Sequence, residues 1–273
     1  IHSMIQRIGK AKPKYFAKLD MTSGYWQAPL AENTKRFTAF ITFMGIFEWN
    51  RAPMGTQPAG GYFHQCIAFI VLAGLIYAIL ESYIDDILVH AKTKKEFWTN
   101  LALVFKRFRK HRITFNPDKV FLSDSSIEFV GHEITSDGIR FSSSKLSGVE
   151  NIPLPATKGD LKKFLGLANY FRDHVKNHSI LSQPLGVLLP AYVRGHRNHK
   201  LTWSDELKIQ FFALRDAVAQ CPKLYFINEI WKIGLETDAS DYGIGGFLFQ
   251  IDPSSGDKVP IQFVSKSLTG PQL

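Results

Sequence analysis

Two adjacent carboxylates, Asp85 and Asp86, interrupt an apolar, strand-forming run over residues 82–89, SYIDDILV. Asp is depleted in strands, and a carboxylate in apolar surroundings requires a partner. We therefore expect a tight turn between two short strands, with the carboxylates facing positive charge such as two divalent metal ions. A plain turn is the competing interpretation, because Asp tolerates turn geometry, and the dipeptide alone favours it.

A second acidic position upstream changes this balance. Asp20 ends a short apolar segment, residues 15–20, and a turn containing Gly24 follows it. A strand that ends in one carboxylate and a hairpin that carries two more can bring all three to one edge of a sheet. Carboxylate oxygens are the ligands that Mg²⁺ prefers. The pattern therefore predicts a metal-binding site built from separate segments.

The elements around these residues predict an α+β sandwich. We expect a helix over residues 62–80, whose apolar run from 67 to 80 is too short to span a bilayer. Residues 96–111 have a helical apolar stripe, and residues 37–47 and 121–139 are strand-like. This order favours helices on one face of an antiparallel sheet, with the other face free for metals and a ligand.

The second half begins after Pro153 and Pro155, which mark a linker. We predict a helix from Thr157 or Lys158 to Val175, and a short helix with a basic loop over residues 179–200. Residues 201–204 are expected to form a strand that leads to a helix cap at Ser204. A helix over 206–221 and strands over 231–238, 243–251 and 259–266 complete the prediction.

Composition favours a globular protein with a polyanionic partner. The 273 residues are 45% hydrophobic and carry a formal net charge of +9. Basic residues cluster at 92–112 and at 194–200, where they either track a phosphate backbone or form solvated faces. Cys66 and Cys221 lack metal-ligand spacing and indicate a reducing compartment. No secretory signal is recognised, and the first residue is not Met, so we expect a fragment or a processed product.

Several segments, taken in order, resemble gypsy-class reverse transcriptases of LTR retrotransposons. Residues 18–27 (KLDMTSGYWQ) resemble the first palm motif, and 83–86 (YIDD) resemble the second catalytic motif. Residues 36–40 and 47–55 are similar to the intervening segments. Residues 129–139 resemble the primer-grip hairpin, 161–171 the thumb helix, and 235–246 the first hairpin of the attached ribonuclease H.

The resemblance implies a right-hand polymerase fold of the α+β class. It places the palm with partial fingers at residues 1–150, the thumb at 151–200 and the connection at 201–230. An incomplete ribonuclease H-like α/β segment is implied for residues 231–273. The implied activity is an RNA-directed DNA polymerase that copies RNA or DNA by two-metal nucleotidyl transfer onto a primer 3′-hydroxyl.

The same resemblance implies a role for each site residue. Asp20 and Asp85 are expected to bridge two Mg²⁺, with Mn²⁺ as an alternative, while Asp86 supports them and the Met21 carbonyl completes one sphere. Tyr25 is expected to exclude a ribose 2′-hydroxyl. The remaining expected contacts are nucleotide binding by Gly55, primer and template binding by Tyr83, Gly131, His132, Lys162 and Lys163, and a ribonuclease H carboxylate at Asp238.

The expected partners are an RNA and DNA primer–template and deoxynucleoside triphosphates, with protein partners or an oligomer left open and no membrane. The expected location is intracellular, either a cytoplasmic virus-like particle or the nucleus, with an organelle left open. Because Asp238 alone matches a catalytic carboxylate of the ribonuclease H family, the last segment is expected to lack ribonuclease H activity. One segment departs from the family, which has Asn-Ala-Pro where this chain has Pro58-Ala59-Gly60.

The alternative to an active polymerase is a domesticated or degenerate retroelement protein that acts as a non-catalytic RNA-binding or structural component of a larger assembly.

Overall fold

The structure is a computed structural model, and it describes residues 2–189, 199–240 and 243–268. The chain divides into two compact units, residues 1–137 and 138–273. Within the described residues, no helix combines the length and the apolar character that crossing a bilayer requires.

The first unit mixes helices with short strands. Its helices and strands are α1 (His2–Ala11), β1 (Tyr15–Asp20), α2 (Gly24–Gln27), α3 (Glu32–Lys35), β2 (Phe40–Thr42), β3 (Gly45–Phe47), α4 (Ala59–Gln65), β4 (Leu80–Tyr83), β5 (Asp86–Ala91), α5 (Lys94–His111), β6 (Phe121–Ser123), β7 (Ser126–Phe129) and β8 (His132–Thr135).

A four-stranded sheet in the order β4-β5-β1-β6 forms the centre of this unit. The two neighbours of β1 in this sheet, β5 and β6, run antiparallel to it. Side chains alternate between the two faces of a strand. Ala17, Leu19, Ile87 and Val89 point into a buried apolar cluster, and Phe97, Leu101 and Val104 of α5 belong to the same cluster. One face of the sheet is therefore occupied by helices, as the sequence predicts.

A capping residue in the sequence, Thr93, accounts for the start of helix α5. The side chain of Thr93 accepts a hydrogen bond from the backbone N–H of Glu96 at 3.2 Å, which is an N-cap. The helix ends at Arg112, which has a left-handed φ of 56°. The predicted helix over residues 96–111 is confirmed, with two more residues at its start.

The helix predicted for residues 62–80 is wrong in its second half. Helix α4 passes into a π-helical turn over Cys66–Val71, and the helical backbone ends there. Gly74 has a φ of 78° and Tyr77 a φ of 68°. These left-handed residues break the helix, so residues 72–79 form turns before β4.

The second unit contains a helical layer and a separate sheet. Its elements are β9 (Gly138–Arg140), α6 (Ser143–Glu150), α7 (Lys158–Tyr170), α8 (His178–Gly186), α9 (Asp205–Ala219), β10 (Leu224–Tyr225), β11 (Lys232–Ser240), β12 (Gly243–Ile251) and β13 (Lys258–Ser267). The helices share a buried core in which the rings of Phe164 and Phe211 lie 4.7 Å apart.

Strands β11, β12 and β13 form an antiparallel sheet, which confirms the three strands predicted near the end of the chain. The cap at Ser204 is confirmed, because its hydroxyl accepts from the Leu207 N–H at 3.3 Å. The strand predicted for residues 201–204 is wrong, since these residues have no strand pairing. Helix α7 ends at Tyr170 and a 3₁₀ turn follows it, so the helix is five residues shorter at its C-terminal end than the predicted helix to Val175. Most of the predicted basic loop, including Arg194, His196 and Arg197, lies outside the described residues.

Candidate active site

The first and second acidic positions meet across two neighbouring strands. In the antiparallel pairing of β1 with β5, Asp20 is directly opposite Asp86. Tyr83 of β4 is in turn opposite Asp86. Directly opposed residues place their Cβ atoms about 4.5–5.5 Å apart on one face of a sheet. These side chains therefore share the face opposite the helical core.

The third carboxylate lies in the hairpin turn itself. Strand β4 ends at Tyr83 and β5 begins at Asp86, so Ile84 and Asp85 form a two-residue loop. Ile84 has a φ of 57°, a conformation that β-branched residues rarely adopt. Such strain persists only where surrounding contacts enforce it, and it is concentrated at functional sites. The turn therefore holds Asp85 next to the opposed pair Asp20 and Asp86 at some backbone cost.

A backbone contact ties this turn to the end of β1. The Met21 N–H donates to the carbonyl oxygen of Asp85 at 3.3 Å. Met21 also forms an isolated antiparallel bridge with Phe115, in which the hydrogen bonds come from the residues on either side of Met21. In an extended segment the N–H and C=O of one residue point to the same side. The Met21 carbonyl therefore points towards the carboxylate turn.

Gly24 allows the turn after β1 to approach Asp85. A Cβ atom at Gly24 would lie 2.9 Å from Cζ of Phe63 and 3.1 Å from Cβ of Asp85. The neighbouring Tyr25 ring stacks on Phe63, with ring centroids 5.0 Å apart. Tyr25 and Asp85 therefore both lie against the small space left by Gly24 and Phe63.

Two lysines neutralise part of the carboxylate charge. Nζ of Lys119 lies 3.0 Å from Oδ2 of Asp20, and Nζ of Lys18 lies 3.6 Å from Oδ1 of Asp86. The hydrogen bond to Asp20 raises the pKa of Lys119, and the charges of Asp85 and Asp86 add to this rise. Burial raises the pKa of Asp86; Lys18 opposes the shift, while Asp85 and Asp20 reinforce it. The charges of Asp85 and Asp20 therefore both act on Asp86.

The lysines also affect the shape of the site. Within the described ranges, no three His, Cys, Asp or Glu side chains are gathered closely enough to hold a metal ion between them. Asp20 and Asp86 share a face of the sheet, yet Asp20 is turned to Lys119 and Asp86 to Lys18. The donor set fits a hard divalent cation, because it consists of carboxylate oxygens with a backbone carbonyl beside them.

The sequence did not indicate the role of Lys119. Lys119 is 99 residues from Asp20, and nothing in its local pattern marks it. The Gln27 side chain donates to the carbonyls of Thr22 and Thr114 at 2.6 and 2.8 Å, and it accepts from the Thr114 N–H at 2.8 Å. Gln27 thereby fastens the segment after β1 to the segment that leads to β6.

The other predicted site residues lie in four places. Gly55 has a φ of 89°. Gly131 has a φ of 80° and lies in the turn between β7 and β8. At the end of this turn, Nδ1 of His132 is hydrogen-bonded to the Val130 carbonyl at 3.1 Å. Lys162 and Lys163 lie on α7, where Lys163 is mostly exposed and 3.2 Å from Asp160. Asp238 lies in β11, opposite Gly245.

Two family models match this chain. Residues 2–134 match the family described as reverse transcriptase (RNA-dependent DNA polymerase). Residues 203–273 match the family described as an RNase H-like domain found in reverse transcriptase.

Curated relatives are retrotransposon polyproteins. The retrovirus-related Pol polyprotein from transposon opus of Drosophila melanogaster is 33% identical over 273 residues, which cover 98% of this chain and 27% of the relative. That from transposon gypsy of the same organism is 27% identical over 278 residues, covering 100% of this chain and 26% of the relative. The chain thus spans about a quarter of the length of these relatives.

Solved structures with a similar fold are foamy viral protease-reverse transcriptases. One, in complex with an RNA/DNA hybrid, superposes with a TM-score of 0.79 at 23% identity and covers 97% of this chain and 35% of its own. Another, in complex with double-stranded DNA, has a TM-score of 0.78 at 24% identity and covers 94% of this chain and 44% of its own. The predicted α+β polymerase fold is confirmed. Residues 2–134 therefore belong to the reverse transcriptase family, and residues 203–273 belong to the RNase H-like family found in reverse transcriptases.

Proposed function

We propose that this chain is the RNA-directed DNA polymerase core of an LTR retroelement. The observation that carries the proposal is the arrangement of three carboxylates: Asp20 opposite Asp86, with Asp85 in a strained two-residue turn beside them. They lie on the sheet face that the helical core leaves free. Such a face can receive a nucleic acid end and a triphosphate together.

Asp20, Asp85 and Asp86 would hold the divalent metals, with the Met21 carbonyl as an additional oxygen ligand. Two bound Mg²⁺ ions would stabilise charge on the attacking and leaving oxygens of an in-line displacement. Lys119 and Lys18 balance part of the charge of Asp20 and Asp86, and a cation of higher charge would replace them. The strained turn fixes Asp85 before substrate binds, which lowers the reorganisation that catalysis requires.

Substrate selection would depend on the space beside Gly24. The Tyr25 ring is held by Phe63, and it would block a sugar that carries a 2′-hydroxyl. Gly55, with its left-handed backbone, would allow the chain to approach the nucleotide closely. Tyr83, on the carboxylate face, would contact the primer end. Gly131 and His132 of the β7–β8 hairpin, with Lys162 and Lys163 of α7, would bind primer and template.

Mg²⁺-dependent primer extension on an RNA template tests the proposal. The chain, or a longer protein that includes it, is expected to add deoxynucleotides to a primer 3′ end, and Asp85→Asn is expected to abolish the addition. A matched variant is Asp118→Asn, which changes an exposed carboxylate next to Lys119 that is not one of the three site carboxylates. Equal loss in both variants, or undiminished extension by Asp85→Asn, would contradict the assignment.

A binding measurement separates an enzyme from a non-catalytic RNA-binding component. Each phosphate that a lysine or arginine neutralises releases counterions, so affinity for an RNA–DNA hybrid is expected to fall steeply with salt. Lys162→Ala with Lys163→Ala should reduce this salt dependence. Salt-sensitive binding without any extension would favour the non-catalytic alternative, whereas binding that ignores salt would contradict both.

A further inference from the structure

A buried carboxylate outside the three site carboxylates is held by an arginine of helix α1. Nε of Arg7 donates to Oε1 of Glu81, and Nη2 of Arg7 donates to Oε2, each at 2.7 Å. The Glu81 side chain is 1% exposed, whereas that of Arg7 is 38% exposed. The planar guanidinium fixes both the distance and the orientation of a carboxylate that it binds through two nitrogens. Glu81 is therefore a buried charge in a defined orientation.

Glu81 lies on the strand that leads into the carboxylate turn. It belongs to β4, where it is opposite Leu88 of β5 and two residues before Tyr83. Side chains two residues apart on a strand share a face. Leu88 is in turn opposite Lys18 of β1. The cross-strand row that contains Glu81 therefore lies directly beside the row that contains the opposed carboxylates.

Strand β4 is the less supported arm of the carboxylate turn. It spans four residues, Leu80–Tyr83, and lies at the edge of the sheet β4-β5-β1-β6. Strand β5, the other arm, lies between β4 and β1 and is paired on both sides. The turn itself is tied to β1 by the hydrogen bond from the Met21 N–H to the Asp85 carbonyl. On the β4 side, contacts made by side chains on the face of the sheet must therefore hold the turn.

Arg7 also contacts the segment that precedes β4. Its guanidinium carbon lies 4.3 Å from the centre of the Tyr77 ring, which is a cation–π contact. Tyr77 has a left-handed φ of 68°, and its N–H donates to the Leu80 carbonyl at 2.8 Å. A single arginine of α1 thus contacts both the turn before β4 and the strand itself.

We propose that Arg7 and Glu81 are positioning residues that hold β4, and with it the turn that carries Asp85, in the geometry that divalent metals require. The proposal rests on the proposed polymerase function and assigns a role to two residues that act through the backbone of β4. The strained backbone of Ile84 persists only where surrounding contacts enforce it, and the bidentate pair supplies such a contact. A pair needed only for stability would leave the folded protein's reaction unchanged when it is removed.

Hydrogen exchange tests the positioning without substrate or metal. Glu81→Gln keeps the shape of the side chain but removes the charge that binds the guanidinium fork. Arg7 is partly exposed and can be hydrated, so we expect this variant to fold. The backbone amides of residues 82–87 should exchange at least about tenfold faster than in the wild type, because the hairpin opens locally, while those of α5 should keep their rates.

Arg7→Lys gives an independent measurement of the same contact. A lysine keeps the positive charge but lacks the planar fork, so it fixes the carboxylate less well. Exchange at residues 82–87 should therefore lie between the rates of the wild type and of Glu81→Gln. The two variants change opposite partners, so a shared effect identifies the pair and not one side chain.

Single-turnover primer extension measures the consequence for the reaction. Glu81→Gln is expected to lower the maximal rate by about tenfold to a hundredfold, because small displacements at a reacting centre have effects of this size. The Mg²⁺ concentration that gives half the maximal rate should rise. The affinity for the primer–template should not change, since neither residue is assigned to nucleic acid binding.

Ile5→Ala is the matched control on the same helix. Ile5 is a buried apolar residue of α1, and its truncation weakens the packing of the helix without removing the ion pair. Urea unfolding should show a loss of stability in this variant, whereas hydrogen exchange at residues 82–87, the maximal rate and the Mg²⁺ dependence should stay as in the wild type. Ile5→Val is the milder replacement if Ile5→Ala does not fold.

Three results would overturn the proposal. The first is unchanged exchange at residues 82–87 in Glu81→Gln, and the second is a wild-type maximal rate with wild-type Mg²⁺ dependence in that variant. The third is an equal loss of rate in the Ile5 variant, because the effect would then belong to the docking of α1 in general. If the wild-type chain extends no primer, the polymerase proposal fails separately, and the exchange measurement alone decides whether the pair holds the turn.

Discussion

Each of the two units presents a carboxylate on an antiparallel strand, but the partner strands differ. In the first unit, Asp20 of β1 is opposite Asp86 of β5, and the turn adds Asp85. In the second unit, Asp238 of β11 is opposite Gly245 of β12, and Gly245 is opposite Ser265 of β13. The first sheet therefore places two opposed carboxylates on one face, whereas in the second sheet Asp238 is paired with small residues.

The small residues of the second sheet have a packing reason. A Cβ atom at Gly245 would lie 2.6 Å from Oδ1 of Asn177. The Ser265 hydroxyl accepts from the Ser179 N–H at 2.6 Å and donates to the Ser179 hydroxyl at 2.7 Å. Helical residues thus cover this part of the sheet face, while the carboxylate face of the first sheet carries lysines. The cross-strand neighbour of the Asp20 carboxylate is thus another carboxylate, whereas that of Asp238 is a glycine.

The largest expected effect separates the two carboxylate strands. Asp85→Asn should lower the rate of primer extension by at least about a thousandfold, because a neutral amide holds a divalent ion poorly and the developing charge loses its stabilisation. Asp238→Asn should leave extension unchanged. Single-turnover extension on an RNA template measures both. A comparable loss in the two variants would mean that the first unit does not contain the reaction centre.

A buried histidine in the first unit predicts a pH dependence of stability. Burial lowers the pKa of His90 to about 4, from 6.5 in the unfolded chain. Between these values the unfolded chain binds a proton that the folded chain does not, so the free energy of unfolding falls as the pH decreases from 6.5 to 4. The difference of 2.5 pH units corresponds to about 3 kcal/mol.

Urea unfolding of the wild-type chain and of His90→Phe, from pH 7.5 to pH 4, measures this contribution. The free energy of unfolding of the variant should lack the part of the pH dependence that His90 contributes. Both proteins should retain the pH dependence that comes from other groups. In the second unit, burial also lowers the pKa of His178, with the same sign. Parallel curves for wild type and His90→Phe would show that His90 is not protected from protonation by burial.

Part of this site follows from the sequence because the information is local. Residues 15–20 are a short apolar segment with a carboxylate at the end, and β1 has these bounds in the structure. The Tyr83–Asp86 turn follows from Asp in an apolar run. The contact between Lys119 and Asp20 could not be predicted, because it depends on how β6 and its preceding turn pack beside β1. The end of the helical backbone at Val71 could not be predicted either, because a uniformly apolar sequence does not indicate a π-helical turn.

Gly24→Ala tests how closely the segment after β1 must approach the carboxylates. The added methyl group would lie 2.9 Å from the Phe63 ring and 3.1 Å from Cβ of Asp85, so one of them must move. A displacement of this size at a reacting centre is expected to slow extension by about tenfold to a hundredfold. Overpacking should also cost roughly 1–3 kcal/mol of stability.

Gly61→Ala is the matched control for this effect. Gly61 lies in α4, and a Cβ atom there would meet nothing within 4 Å. Replacing a helical glycine by alanine should raise stability by about 0.5–1 kcal/mol and leave extension unchanged. If Gly24→Ala behaves like Gly61→Ala in both measurements, then the approach of this segment to Asp85 does not constrain the site.

The smallest expected effect concerns the choice of sugar, which the first unit alone should control. Tyr25→Val should admit ribonucleotides, because the ring that fills the space beside Phe63 would be removed and the clash with a 2′-hydroxyl with it. The preference for deoxynucleotides should fall by about tenfold or more, while deoxynucleotide incorporation itself should fall less.

Tyr25→Phe keeps the ring and should keep the preference, so the pair separates steric exclusion from hydrogen bonding by the hydroxyl. Ratios of kcat/KM for matched ribonucleotide and deoxynucleotide pairs measure this. An unchanged ratio in Tyr25→Val would assign the ring to packing against Phe63, and an equal loss in Tyr25→Phe would assign the discrimination to the hydroxyl.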